Sequence, residues 1–522
     1  MLSQSPLPHD GFWLPAGVRE SALAGAEWQT LYLKGGTLAG RDEPGAVAVR
    51  WPQLTPGGWQ ALLDGLQRGR RLGTGEVLAR WQTALVLVRE CLLARLEEML
   101  PLLAAATGYS RPMIATALWQ GEFVSPGSLA AAFSFRPTWS LARRWEPLPG
   151  LSGYARFFPA HALSRLTAPA RTGLPLYRLA PPVELALGYG AGNVPGTALL
   201  IALLGGLANY AREGLPSAAV LVRNSRHEPL FAPWVLDAIE EIDPELVGGL
   251  AVLIWDHDDV ELQATLMRRA GLLLGVAGDE ALAALEAQRR RFAPNLRFHR
   301  HGHKVSFAAL HCSAAEAQTL AETAALDSAL WDQNGCLSAR VHFVQGDAEA
   351  YAGALAEAMA TLASELPRGT TPRRYVHRAF DTYAALQGTR RVRLFSGYDS
   401  DFAVVLDERP WPGQALQRAA NACQGRVIVV RPVSEALEVP RLLAALPAAN
   451  LQTVSVALPR AELLDFAEGV GERGVTAVRP LGRAAFPQLA YSWDGLLPLD
   501  AAYLRPAGHF TTVELDAPPA PR

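Results

Sequence analysis

The sequence predicts an α/β protein with two regions of parallel sheet and a helical N-terminal region. After Pro182 the chain alternates short apolar runs with helical periodicity, the alternation resumes after Val305, and residues 59–118 carry a helical pattern alone. Alternation of this kind specifies parallel strands with helices packed on the sheet faces.

The chain has 522 residues, half of them hydrophobic, which is enough for more than one domain. A net charge of −2 and a pI near 6.6 leave no broad electrostatic footprint for nucleic acid or an anionic membrane. Four unevenly spaced cysteines are too few for a disulfide framework and point to a reducing compartment. Residues 1–10 show neither a basic nor an apolar leader segment, so the expected location is cytoplasmic. The uncharged stretch Leu185 to Ala211 is interrupted by six glycines, Asn193 and Pro195, so it reads as strand, loop and helix and not as a membrane span.

In chain order, residues 1–60 are rich in Pro, Gly and Trp, lack clear periodicity and form an extension to which no role is assigned. Leu85, Val88, Leu92, Leu96, Met99 and Leu103 recur at three- and four-residue steps, the mark of packing helices without chemistry. Residues 120–180 are irregular, with prolines at 126, 137, 147 and 149. Strands are then expected at 183–189, 218–222, 250–254 and 271–276, with helices at 197–213, 230–242 and 260–270. The organisation is thus an extension (1–60), a helical lead-in and cofactor domain (61–304), a second α/β domain (305–480) and a tail (481–522) that returns to the cofactor domain or to an oligomer interface.

Cys336 lies in Trp331-Asp-Gln-Asn-Gly-Cys-Leu-Ser338, a tight turn ahead of a strand-like run. A thiol delivered by such a turn can be polarised by backbone N–H groups, which lowers its pKa and supplies a nucleophilic thiolate. Most free cysteines are small buried hydrophobes, and Cys91, Cys312 and Cys423 fit that description better. A second motif, Gly188-Tyr-Gly190-Ala-Gly192-Asn193-Val-Pro195-Gly196, sits at a strand-to-helix junction, where backbone N–H groups can meet an anion. Its glycine spacing matches the dinucleotide fingerprint imperfectly. Asn193 either caps the following helix or points its amide at a carbonyl oxygen, and position alone favours the cap. Arg223-Asn-Ser225-Arg226 closes the next strand, where open α/β sheets place ligands; a solvated basic turn is the alternative.

In this order and at these separations, Gly192-Asn-Val-Pro-Gly196, Gly302-His-Lys304-Val-Ser306, Asp332-Gln-Asn-Gly-Cys336-Leu-Ser338 and Leu451-Gln-Thr-Val454 resemble the aldehyde dehydrogenase superfamily. They are most similar to its LuxC-type branch, the long-chain acyl-CoA reductases of bacterial fatty-acid reductase complexes. The resemblance spans roughly residues 75–500 and implies an aldehyde dehydrogenase-like fold with a Rossmann-like cofactor domain and a catalytic domain. Cys336 then matches the acyl-accepting cysteine, and Asn193 the oxyanion-hole amide, which displaces the cap. Arg223 falls on the ribose-contacting lysine. Arg226 falls where NAD-preferring members carry a glutamate, so with Ser225 it implies NADPH. Gly275-Val-Ala-Gly278 corresponds to the turn over the cofactor pyrophosphate. The resemblance also implies an acyl-CoA substrate, a homo-oligomer and a possible acyl-protein synthetase or other acyl-donor partner, with no nucleic acid.

Two departures matter. The general-base glutamate of the hydrolytic enzymes has no counterpart in Arg300-His-Gly-His-Lys304, which favours keeping water idle while an acyl group is exchanged and reduced. The nicotinamide-ribose glutamate aligns near Ala422 and Cys423, where no acid stands. His299, His301 and His303 alternate and offer a weak zinc pattern, but no metal is assigned. Arg289–Arg291 and Arg390, Arg391 and Arg393 are candidates for CoA phosphates, with a solvated face as the plain alternative.

Overall fold

The computed structural model describes residues 8–41, 43–71, 75–120, 144–148, 150–159, 178–179, 181–206, 215–389, 391–486, 491–497, 503–504 and 508–515. Most of the irregular stretch 120–180, Arg390 and residues 174–177 lie outside them.

Five parallel strands form the first α/β layer, in the spatial order Leu250–Leu253, Ala219–Arg223, Leu185–Tyr189, Leu272–Val276, Arg297–His301. Numbered along the chain this order is 3-2-1-4-5. The first strand is buried at every residue and the second nearly so, as strands covered by helices on both faces must be. Helices Thr197–Gly206, Phe231–Ile242, Val260–Arg269 and Asp279–Phe292 connect them. A strand order that reverses beside the first strand opens a crevice outside the carboxyl ends, between Leu185–Tyr189 and Leu272–Val276.

The second layer is a ten-stranded sheet in the order Val392–Leu394, Ala403–Asp407, Val427–Val433, Ala339–Gly346, Val305–Cys312, Leu451–Ala457, Ala477–Pro480, Gly508–Glu514, Gly153–Pro159, Glu146–Pro147. Seven strands, from Ala403–Asp407 to Gly508–Glu514, run parallel, with antiparallel edges. Separate apolar clusters cover its two faces. The tail touches both layers: Phe486 and Trp493 pack on the core of the cofactor layer, and the last strand is built into this larger sheet beside Gly153–Pro159.

The N-terminal extension, to which no role was assigned, carries strands of its own. His9–Asp10, Glu27–Lys34, Thr37–Leu38 and Val47–Gln53 form a four-stranded sheet, and Trp13 bridges to Val252 at the edge of the first α/β layer. The helical lead-in is present as Pro56–Arg68, Gly75–Ala94, Leu96–Thr107 and Arg111–Gln120. Cys91 is exposed on it, contrary to the expectation of a buried hydrophobe, whereas Cys312 and Cys423 are buried. Among the described residues no helix is long and apolar enough to cross a membrane.

Candidate active site

The carboxyl ends of the five-stranded sheet face the amino ends of three strands of the larger one. Asn193 follows the strand Leu185–Tyr189, and His301 ends the strand Arg297–His301. Across from them, Lys304 precedes Val305–Cys312, Cys336 precedes Ala339–Gly346, and Gln452 opens Leu451–Ala457.

The turn that carries Cys336 is held from both sides. Trp331, Asp332 and Gln333 have φ of 56°, 49° and 63°, three successive left-handed residues. Such a run costs on the order of 1–2 kcal/mol per residue and persists only where contacts impose it. Asp332 forms a fully buried pair with Arg426 at 3.0 Å and accepts the Gly369 N–H at 2.9 Å. The Gln333 amide donates to the carbonyls of Ala339 and Val427, and its oxygen accepts the Val427 N–H. Leu330 and Trp331 pack into the core of the cofactor sheet. The Cys336 carbonyl accepts the Ser306 hydroxyl at 2.8 Å.

Asn193 does not cap the helix that follows it. Its side-chain amide donates to the Asn334 carbonyl at 3.1 Å, two residues before Cys336, and the residue is exposed. Its own carbonyl accepts the Tyr109 hydroxyl at 2.6 Å, and the Tyr109 ring packs edge-on against Trp331 at 5.0 Å. Burial pushes the Tyr109 phenol up, which keeps it a donor at neutral pH. The helical lead-in thus contributes directly to the site, contrary to the expectation of packing alone.

Cys336 departs from the expected low pKa. Although the residue is half-buried, desolvation of the thiol, with the Asp494 charge next, pushes it up to about 12. The Gln452 side chain, the Cys336 backbone N–H and Lys304 act in the opposite direction without prevailing. The turn delivers the thiol but does not by itself ionise it. Asp494, which sequence reading passed over, accepts from or shares a proton with His301 Nδ1 at 3.0 Å. A cleft of about 840 Å³ opens beside Lys304 and Asp494, with Phe157, Phe158, Leu446 and Arg473 among its walls.

At the cofactor crevice, a Cβ on Gly192 would stand 2.2 Å from Ser225 Oγ, so the glycine loop and the Arg223–Arg226 loop touch only because Gly192 has no side chain. Arg223 Nε donates to the Trp255 carbonyl at 2.8 Å. Arg226 pairs with exposed Asp256 at 2.8 Å and lies over Trp51. Gly275 is the penultimate residue of the neighbouring strand Leu272–Val276, and Gly278 is the N-cap of the helix Asp279–Phe292. These loops meet at the switch point of the sheet, the place where open α/β sheets take dinucleotides, and the missing side chain of Gly192 is what lets the Ser225 loop pack against the glycine loop.

Other candidates are not drawn in. Arg289 and Arg290 pair with Glu286, and Arg393 with Glu349 and Glu408. Ala422 is exposed and Cys423 buried at the end of the helix Ala415–Ala422. No group of three potential metal ligands occurs among the described residues, and His301 is committed to Asp494.

The fold is that of aldehyde dehydrogenases. Aldehyde dehydrogenase 21 from Physcomitrella patens, in complex with succinate, superposes with a TM-score of 0.57 at 12% identity over 97% of this chain and 98% of its own. Methylmalonate-semialdehyde dehydrogenase (DddC) from Oceanimonas doudoroffii gives 0.56 at 13% over 98% and 99%. A putative methylmalonate-semialdehyde dehydrogenase from Sinorhizobium meliloti 1021, complexed with NAD, gives 0.54 at 13% over 98% and 99%. No curated protein sequence matches the chain. A family model for acyl-CoA reductase (LuxC) matches residues 176–504, a span that holds Asn193, both cofactor loops, Cys336 and Asp494, and the chain belongs to this family of oxidoreductases.

Proposed function

We propose that the protein reduces a long-chain fatty acyl-CoA to the aldehyde, with NADPH as reductant and Cys336 as the residue that carries the acyl group. The observation that supports this most is the Asn193 amide directed at the turn bearing Cys336, within a chain of the acyl-CoA reductase family. Cys336 Sγ attacks the thioester carbonyl, the Asn193 amide and the Cys336 backbone N–H hold the oxyanion, and the CoA thiol leaves. A nicotinamide bound at the crevice would supply the hydride that converts the acyl group to the aldehyde. Arg223, Ser225 and Arg226 would hold the ribose and its 2′-phosphate, Arg226 exchanging Asp256 for the phosphate; an exposed pair of that kind is worth ~0–1 kcal/mol and yields readily. The 840 Å³ cleft beside Lys304 has the size of a small-molecule site, about 300–1,000 Å³, and combines apolar Phe157, Phe158 and Leu446 with charged Arg156, Arg473 and Lys304. Cytoplasmic location, assembly as a homo-oligomer and delivery of the acyl group by an acyl-protein synthetase belong to the same reading.

The test is intact-protein mass spectrometry after addition of tetradecanoyl-CoA. The native protein is expected to gain one acyl group that NADPH discharges as aldehyde and NADH discharges less well, while Cys336→Ala gains none. Absence of an adduct with several chain lengths would reject the acyl-CoA reading and favour a non-catalytic acyl-binding subunit.

A further inference from the structure

The N-terminal extension meets the loop that carries Arg226 through Gly11, Gly36 and Trp51. Asn224, buried just after the strand Ala219–Arg223, donates its amide to the Gly11 carbonyl at 3.1 Å and to the Pro229 carbonyl at 2.8 Å, while its oxygen accepts the Ser225 N–H at 3.0 Å. A Cβ on Gly11 would stand 2.6 Å from Val49 Cγ1 and 3.2 Å from Pro229 Cβ, so this approach depends on the missing side chain. His227 Nδ1 lies 3.3 Å from the carbonyl oxygen of Gly36, in the turn between Glu27–Lys34 and Thr37–Leu38. Trp51 alternates with Val47 and Val49 on the face of the strand Val47–Gln53 that packs on the cofactor layer. The guanidinium carbon of Arg226 stands over its ring, 5.7 Å from the centre.

A guanidinium at a solvated turn has no fixed plane. Stacking on an indole imposes one, because it occupies the flat face and leaves the N–H groups along the edges for other partners. The side-on edge of Arg226 carries Nε and Nη2. Nη2 donates to Asp256 Oδ1 at 2.8 Å, whereas Nε is buried without a hydrogen-bond partner among the described residues. A buried donor left unpaired costs stability, and one carboxylate oxygen satisfies half of an edge that can serve two acceptors. We propose that Trp51 selects NADPH over NADH by holding the side-on edge of Arg226 toward the 2′-phosphate of the adenosine ribose. This deepens the reading of the crevice as an NADPH site and rests on it. Arg226 is the ligand of the phosphate, Trp51 a positioning residue, and exposed Asp256 the partner that the phosphate displaces. Two oxygens of one phosphate can take Nε and Nη2 together, which a monodentate carboxylate does not. NADH has no group at that place and gains nothing from the fixed edge. The extension thereby supplies one wall of the pocket that distinguishes the two nucleotides.

Adenosine 2′,5′-bisphosphate and adenosine 5′-monophosphate differ only in that phosphate, so isothermal titration calorimetry of the full chain with each separates the question from acyl chemistry. The native protein is expected to bind the bisphosphate more tightly. Trp51→Leu should weaken the bisphosphate by about 2- to 30-fold, the range of a cation–π contact from exposed to desolvated, and leave the monophosphate within about 2-fold of native. Replacing Trp51 alone by a tetrafluorinated tryptophan keeps the shape of the ring and drains its π face. The same selective loss is expected from it, and it carries the test if Trp51→Leu folds poorly. In an Arg226→Gln background the changes at Trp51 should cost nothing further, because the contact through which Trp51 acts has gone. A merely structural role would weaken both nucleotides alike, or act equally without Arg226, and either result overturns the proposal. Native protein that binds the two nucleotides equally rejects the NADPH reading and the part of Trp51 with it, whereas native discrimination that survives intact in both Trp51 variants removes Trp51 alone.

Discussion

Asn193 is tied to the short segment that carries Cys336. The amide of Asn193 reaches the carbonyl of Asn334, and Asn334 in turn donates to Thr371 Oγ1 at 2.9 Å, so the turn presents Cys336 in one orientation. Removing an oxyanion donor typically costs about 10²- to 10³-fold in rate. Asn193→Ala is therefore expected to acylate from tetradecanoyl-CoA about 10²- to 10³-fold more slowly, with iodoacetamide alkylation of Cys336 little changed, because alkylation develops no carbonyl oxyanion. Rapid-quench acylation beside alkylation of the same sample checks this; equal losses in both would assign Asn193 to supporting the turn. The contact of Asn193 with the turn that carries Cys336 joins two segments that each stand out as short sequence motifs. Asp494 and Tyr109 stand in no such motif. Their positions depend on a carboxylate and a hydroxyl arriving from remote segments, and nothing local distinguishes Trp493-Asp494-Gly495 from an ordinary turn. Gln452 was visible within Leu451-Gln-Thr-Val454, but its direction toward the thiol is a property of the strand pairing.

Among elements, the left-handed run Trp331–Gln333 is the one whose conformation is most costly and most dependent on partners. Asp332 and Arg426 are both fully buried, and Arg426 also donates to the Leu366 carbonyl at 2.8 Å. Leaving one member of a buried pair uncompensated costs about 3–5 kcal/mol. Asp332→Asn preserves tolerance of a positive φ, so its effect isolates the charge. Urea denaturation should show a loss of about 3–5 kcal/mol, and a loss below about 1 kcal/mol would mean that the Leu366 carbonyl suffices for Arg426. Four of the five parallel strands of the cofactor layer were legible to within two residues, since continuous apolar runs between turn signals leave little choice; the fifth, Arg297–His301, is a polar run without that signal. The N-terminal sheet was not. In Glu27–Lys34 only Leu31 and Leu33 are buried, and the first half of the strand is exposed throughout, so no alternation runs its length.

Across the whole molecule, three regions that look independent in sequence are joined at Gly108 and Tyr109. The Gly35 N–H donates to the Ala105 carbonyl, Thr370 Oγ1 donates to the Gly35 carbonyl, and the Thr370 N–H donates to the Gly108 carbonyl. Next in the chain, Tyr109 binds the Asn193 carbonyl and packs on Trp331. The N-terminal sheet, the helical lead-in and the loop beside Thr371 are thereby tied to the contact between the two α/β layers, which gives the N-terminal sheet a place in the architecture that composition could not reveal. Tyr109→Phe removes one hydrogen bond and keeps the ring. A bond of this kind is worth about 0.5–1.5 kcal/mol. If it serves to set Asn193 against the Cys336 turn, the acylation rate should fall by about 2- to 12-fold, the kinetic equivalent of that range, while NADPH binding, followed by nucleotide fluorescence, stays unchanged because the Arg223–Arg226 loop is untouched. Loss of nucleotide affinity in parallel with acylation would instead show that Tyr109 holds the whole cofactor layer in register, and would move the joint from the nucleophile turn to the glycine loop.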